Sequence, residues 1–315
     1  MKKSYLATVA CGLVFLIFCA ACRNTPAGGK QRLSVVASLF PVYDFARQIA
    51  RDRADVTLLL PPGTEPHSFD PRPADIITLT HADLFFYTNI YMEPWVQKIL
   101  AGITSARLLA VDTSTGIRLM EAGGQDPEDE DPGHGHDHGG KDPHIWLDPL
   151  NAIRMVENIR DGLIRKDPSN REFYTRNAEE YVHQLQGLDS RFTAGLADCR
   201  KKVFVSGGHF TFGYLARRYG LTYVSAYGIS PNSEPTPGSL ASISRTLKDQ
   251  GLRYIFYEEL LSPRTAETIA KETDAKLLKL NGAHNITKED FEKGTTFLSL
   301  MERNLANLRT GLECR

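Results

Sequence analysis

The sequence carries almost no net charge: 37 Lys and Arg stand against 38 Asp and Glu, leaving a formal −1. No global field therefore draws this chain to nucleic acid or to an anionic bilayer, and specificity has to come from local sites. Past residue 21, no apolar stretch approaches the ~18–20 residues a membrane-spanning helix needs, so the mature chain is expected not to span a membrane. No repeat of 20–50 residues recurs, which sets aside solenoids and propellers. Cysteine is scarce, with five in 315 residues. Cys11 and Cys19 lie in an N-terminal leader and Cys22 at its end, so Cys199 and Cys314 remain. That even pair is read as a disulfide formed in an oxidising compartment; two unpaired thiols are the alternative. With the pair bridged, no cysteine is left to hold a metal.

The first residues are an export signal in form. Lys2 and Lys3 precede an uncharged apolar run over residues 11–21, and Ala20-Ala21-Cys22 supplies small residues at a cleavage point. Residues 1–21 are too short and wrongly flanked for a stable membrane helix. Ala20-Ala21-Cys22 resembles a bacterial lipobox, in which the cysteine is lipidated and becomes the first residue. Cys19 departs from the usual Leu or Val, and plain signal cleavage is the alternative. A lipid on Cys22 would be the chain's one link to a membrane. Residues 22–31, polar with Pro26, Gly28 and Gly29, suit a flexible tether. The expected location is the periplasm or cell envelope.

A chain of 315 residues exceeds one core, so two domains are expected. Short apolar runs alternate with helical stretches, the pattern of parallel α/β architecture. The runs cover 33–39, 56–60, 84–88 and 108–111, then 202–206, 222–226, 254–257 and 277–280. Residues 123–142 form a loop of Gly, Asp, Glu, Pro and His without apolar periodicity. Residues 169–197 form one long helix, with Phe173, Tyr181, Leu185 and Leu188 near helical spacing; it would span about 43 Å. The expected fold is two lobes with central parallel sheets flanked by helices, joined by one long rigid helix. The first lobe covers 32–150, the helices including the connector 151–198, and the second lobe 199–315.

The nine histidines sort by context. His134, His136 and His138 sit in the loop as Gly-His-Gly-His-Asp-His, a tract whose neutral imidazoles bind Zn²⁺ weakly and adaptably. His81, at a helix end, and His183, on the long helix, have surface contexts. His67, His209 and His284 each follow a strand run, where ligands bind in open parallel sheets. His144 sits at the junction of the halves, in Asp142-Pro143-His144-Ile145-Trp146-Leu147-Asp148-Pro149. Any one of the four has an ordinary structural explanation; four together point to a tetrahedral Zn²⁺ site built from nitrogen, or from nitrogen with one oxygen.

These segments resemble the zinc and manganese solute-binding proteins of ABC importers. Pro61-Pro62-Gly63 through Pro66-His67-Ser68-Phe69-Asp70-Pro71, with Ala82-Asp83-Leu84, is similar to the family's first signature. The stretch around His144 is similar to the second, and His209-Phe210-Thr211-Phe212-Gly213-Tyr214-Leu215 with Tyr219-Gly220-Leu221 to the third. Ser233-Glu234-Pro235 and Leu298-Ser299-Leu300-Met301 with Asn304-Leu305 also fit, so the resemblance runs from about residue 33 to 312. It implies two lobes with the metal buried between them and His67, His144 and His209 as ligands. It also implies a monomer that hands zinc to an ABC permease with its ATPase. Manganese-selective members carry glutamate at the third position, so His209 points to zinc; an acidic, His-rich loop like 126–138 marks zinc-type members. The family's fourth ligand is an Asp or Glu after the last strand, and here His284 holds that place. Either four histidines close the site, or a water or carboxylate does, with Glu65 and Asp290 as the acidic candidates.

Three other readings compete. A zinc hydrolase needs a general base beside the metal, and the sequence has no His-Glu-x-x-His pair, leaving Glu65 the nearest candidate. A manganese or iron carrier of the same family is the second. A metal-dependent surface adhesin is the third.

Overall fold

The computed structural model describes residues 32–121, 140–232 and 235–315. The export signal, Cys22 and its tether, and His134, His136 and His138 lie outside the described residues, as do Ser233 and Glu234. Among the described residues no helix is long and apolar enough to cross a membrane.

Every apolar run becomes a strand, with ends shifted by a residue or two. β1 (Leu33–Ala37), β2 (Ala54–Leu58), β3 (Leu84–Tyr87) and β4 (Leu109–Asp112) form one parallel sheet in the order β2-β1-β3-β4. β5 (Val203–Ser206), β6 (Thr222–Ser225), β7 (Tyr254–Glu258) and β8 (Lys276–Leu280) form a second in the order β6-β5-β7-β8. The two orders are the same when each sheet is counted from its own first strand. In each, the chain leaves the first strand to one side and later pairs on the other. That switch opens a crevice beyond the carboxyl ends, between β1 and β3 and between β5 and β7.

Parallel pairing requires crossovers, and helices supply them. In the first half these are α1 (Phe40–Ala50), α2 (Pro73–His81) and α3 (Trp95–Gly102). Two helices follow β4: α4 (Pro149–Lys166) and α5 (Arg171–Ala197). The second half adds α6 (Gly213–Arg218), α7 (Pro237–Asp249) and α8 (Arg264–Thr273), and closes with α9 (Lys288–Glu292) and α10 (Phe297–Gly311).

The long helix α5 begins at Arg171, after a 3-10 turn over Pro168–Asn170; its 27 residues span about 40 Å. Tyr174, Ala178, Tyr181, Leu185, Leu188, Phe192 and Leu196 recur every three or four residues and are all buried, forming a single apolar stripe. Its first half holds the first lobe: the Asn177 side chain donates to the Ile49 carbonyl at 2.9 Å, and the Tyr181 hydroxyl to Asp44 at 3.4 Å. Its second half holds the second lobe, where Asp189 accepts from Arg218 at 2.7 and 2.6 Å and from the Tyr219 hydroxyl at 2.9 Å. The architecture is therefore the two-lobed α/β fold joined by one long helix. One buried cluster runs through both lobes, from Phe86 and Trp146 to Phe204, Phe256 and Phe297. Cys199 and Cys314 are joined in a disulfide across 115 residues, fastening the chain's end ahead of β5.

Candidate metal centre

Three of the four singled-out histidines meet at one point. His209 follows β5 into the second crevice, His67 lies in the loop after β2, and His144 opens the short 3-10 helix Ile145–Leu147 that leads into α4. The Nε2 atoms of His67 and His209 stand 3.2 and 3.3 Å from Nε2 of His144. Each of the three residues offers a ligand atom within 4.8 Å of the other two. His144 and His209 are fully buried, and His67 is half-buried.

His284, in the segment after β8, packs against this group. Its ring centroid is 5.5 Å from that of His209, and 6.2 and 6.3 Å from those of His144 and His67. With His209 and Glu258 it forms a second set whose ligand atoms lie within 4.8 Å of one another. Both of its ring nitrogens are buried and find no hydrogen-bonding partner among the described residues. Burial, with the neighbouring His209 adding to it, pushes the His284 imidazole down to about 4. The ring is thus neutral, the form that ligates, across the physiological range.

Two carboxylates fix the rings. Asp142 Oδ1 lies 2.8 Å from His144 Nδ1 and accepts the His144 backbone N–H at 3.0 Å. Glu258 lies 2.9 Å from His209 Nδ1 and accepts the His209 backbone N–H at 2.7 Å. In its ionised form a carboxylate only accepts, and such a pairing places the imidazole proton on Nδ1 and leaves Nε2 to face the cluster. Burial pushes Asp142 up to about 7 against the opposing His144 N–H. Glycine at 208 is what lets Glu258 come this close, since a Cβ there would stand 1.9 Å from Glu258 Oε1.

The loops that carry the histidines are bound to one another. Asn285 donates to the carbonyls of Pro61 and Thr64 at 2.9 and 2.8 Å, and Gly63 N–H to Ile286 O at 2.8 Å, so the His67 and His284 loops are laced together. Trp146 Nε1 donates to Gly282 O at 2.8 Å, joining the His144 segment to the His284 loop. The Tyr214 hydroxyl donates to Asp142 O at 2.9 Å.

The remaining candidates have other duties. His81 and His183 are exposed on α2 and α5. Glu65 accepts the backbone N–H groups of His67 and Ser68 at 3.1 and 2.9 Å, which makes it a turn-former. Asp290 is bound to Thr287, Thr295 and Arg303 at the start of α9, the capping role its sequence context suggests. Sequence reasoning missed Asp142 and Glu258 as partners of the histidines. Asp142, two residues before His144, was within reach of inspection; Glu258 ends the strand beside β5, and the crevice rule applied to β7 would have found it.

Two lobes clasping a buried histidine cluster, bridged by one long helix, define a solute-binding protein. Residues 35–311 match the family model described as "ZnuA: Zinc-uptake complex component A periplasmic", and the chain belongs to that family, one of transport components and not of enzymes. It is 37% identical over 317 residues, 99% of each chain, to the high-affinity zinc uptake system protein ZnuA of Bacillus subtilis. It is 37% identical over 309 residues to the zinc-binding lipoprotein AdcA of Streptococcus pneumoniae, covering 98% of this chain and 61% of that protein. Among solved structures, the Zn(II)-bound ZnuA-like domain of that AdcA superposes with a TM-score of 0.76 at 36% identity, over 90% of this chain and all of that one.

Proposed function

We propose that this chain captures one Zn²⁺ between its lobes, through His67, His144, His209 and His284, for delivery to an ABC-type importer. One observation carries the reading. Four ligands at a Zn–N distance of ~2.0–2.1 Å form a tetrahedron whose edges are ~3.3–3.4 Å, and the two Nε2–Nε2 separations at His144 are 3.2 and 3.3 Å. Neutral imidazoles suit Zn²⁺ better than the oxygen-preferring Mn²⁺. Glu65 and Asp290 are engaged elsewhere, which supports His284 as the fourth ligand. Handing the ion to a permease and its ATPase, from the periplasm or from a lipid anchor at Cys22, is the role that family membership supports. The weaker loop sites at His134, His136 and His138 would collect zinc for the main site.

Chelator competition on untagged protein tests the proposal. His144→Ala should weaken the tight site at least 100-fold, as should His67→Ala and His209→Ala, and His284→Ala at least 10-fold, all with folded spectra. His81→Ala and His183→Ala should bind like the parent. Tight binding by His144→Ala would overturn the site. For delivery, zinc-limited growth of cells lacking their own binding protein but keeping its importer should be restored by the parent and not by His144→Ala; restoration by both would contradict it.

A further inference from the structure

The segment that carries His284 has its glycine at an unexpected position. The left-handed backbone conformation, which glycine adopts most readily, falls on Ala283, with φ 57°. Gly282, one residue earlier, lies outside that region, so its backbone conformation does not call for glycine. What it would not accept is a side chain. A Cβ at 282 would stand 2.4 Å from His284 Nδ1, 2.5 Å from His284 Cε1 and 3.2 Å from Thr211 Cγ2.

We propose that Gly282 positions the fourth ligand, because the space left by its missing side chain is where the His284 imidazole sits. The backbone cannot step aside to make that space in another way. The Gly282 N–H donates to Glu259 Oε2 at 3.2 Å, and its carbonyl accepts from Trp146 Nε1 at 2.8 Å. Asn304 holds Asn281 on both sides, accepting its N–H at 2.7 Å and donating to its carbonyl at 2.7 Å. Ala283 N–H is bound to Asn281 Oδ1 at 2.8 Å. With the main chain pinned at these points, a methyl group at 282 has to displace the ring. The ring is buried among Trp146, His144 and His209, so a forced shift moves its nitrogens relative to the three converged Nε2 atoms. Gly282 is thus a positioning residue, there for room and not for backbone freedom. The inference rests on His284 as the fourth ligand.

A double-mutant cycle with chelator competition tests it. Gly282→Ala should weaken zinc binding about 10-fold, and should have less than a 2-fold effect when added to His284→Ala, because the ring it displaces is gone. Ala283→Gly, a change of similar size in the adjacent residue, should leave affinity within 2-fold of the parent. Equal losses from Gly282→Ala in both backgrounds, or an equal loss from Ala283→Gly, would overturn the proposal in favour of general disturbance of the loop. A crystal structure of Gly282→Ala separates this inference from the ligand assignment. A displaced His284 ring on an unmoved backbone supports the inference; if His284→Ala nonetheless binds zinc like the parent, the ligand assignment fails and the inference with it. An unmoved ring with a shifted backbone refutes it.

Discussion

At the scale of single residues, the centre is built as much by side chains that touch no metal as by the histidines. A free imidazole presents either nitrogen and rotates about two bonds. Asp142 and Glu258 remove that freedom for His144 and His209 by engaging Nδ1 and the backbone N–H of the same residue. Partners of this kind raise ligand basicity and fix the tautomer, and their loss costs typically 10–100-fold in metal affinity. Asp142→Asn and Glu258→Gln, which keep shape and all four histidines, should each weaken zinc binding by about that factor. Isothermal competition titrations would show it; unchanged affinity in both variants would mean that packing alone orients the rings. Glu259, the neighbour of Glu258, braces the segment that carries His284 by accepting the Gly282 N–H. Burial, with the Glu258 charge adding to it, pushes Glu259 up to about 8.

At the scale of elements, the two sheets repeat one topology but equip their crevices differently. The second crevice holds His209 and Glu258. The first holds Glu93, which accepts the Ser38 hydroxyl beyond β1 and the N–H groups of Thr88 and Asn89 beyond β3 at 3.0 Å each. The Asn89 side chain then donates to Pro143 O at 3.3 Å, beside His144. Burial pushes Glu93 up to about 7, so folding favours its protonated form. That contribution is fully present below the ordinary carboxylate range and is lost as pH rises through about 7. With zinc chelated, the parent should lose about 1 kcal/mol more stability between pH 6 and pH 8 than Glu93→Gln does. Urea unfolding at the two pH values measures this; equal slopes would show that Glu93 does not titrate there. Strands and the long helix were legible because apolar runs and helical periodicity are local. The strand-end position of His209 and His284 was legible for the same reason. Glu93 was not, because its role arises only when the ends of two non-consecutive strands are brought together; Glu258 could be placed at a strand end, but its pairing with His209 could not.

At the scale of the whole molecule, α5 packs against both lobes, while the disulfide lies within the second. Cys199 precedes β5, so the bridge to Cys314 fastens the amino ends of the second sheet while the histidines lie beyond its carboxyl ends. The pairing read from the even cysteine count is the one formed. A crosslink closing 115 residues contributes roughly 2–5 kcal/mol through the unfolded chain. Cys199→Ala with Cys314→Ala should therefore lower thermal stability markedly while leaving zinc affinity within about 2-fold of the parent. A large loss of affinity would show that the bridge shapes the centre after all.

The central claim is that buried imidazoles, and no sulfur, hold one zinc ion between the lobes. X-ray absorption at the zinc edge, on untagged protein loaded with one equivalent, tests it most directly. A four-coordinate shell of imidazole nitrogens at ~2.0–2.1 Å is expected, with His284→Ala exchanging one of them for oxygen. A sulfur scatterer, fewer than three imidazoles, or an oxygen-dominated shell of six would contradict it.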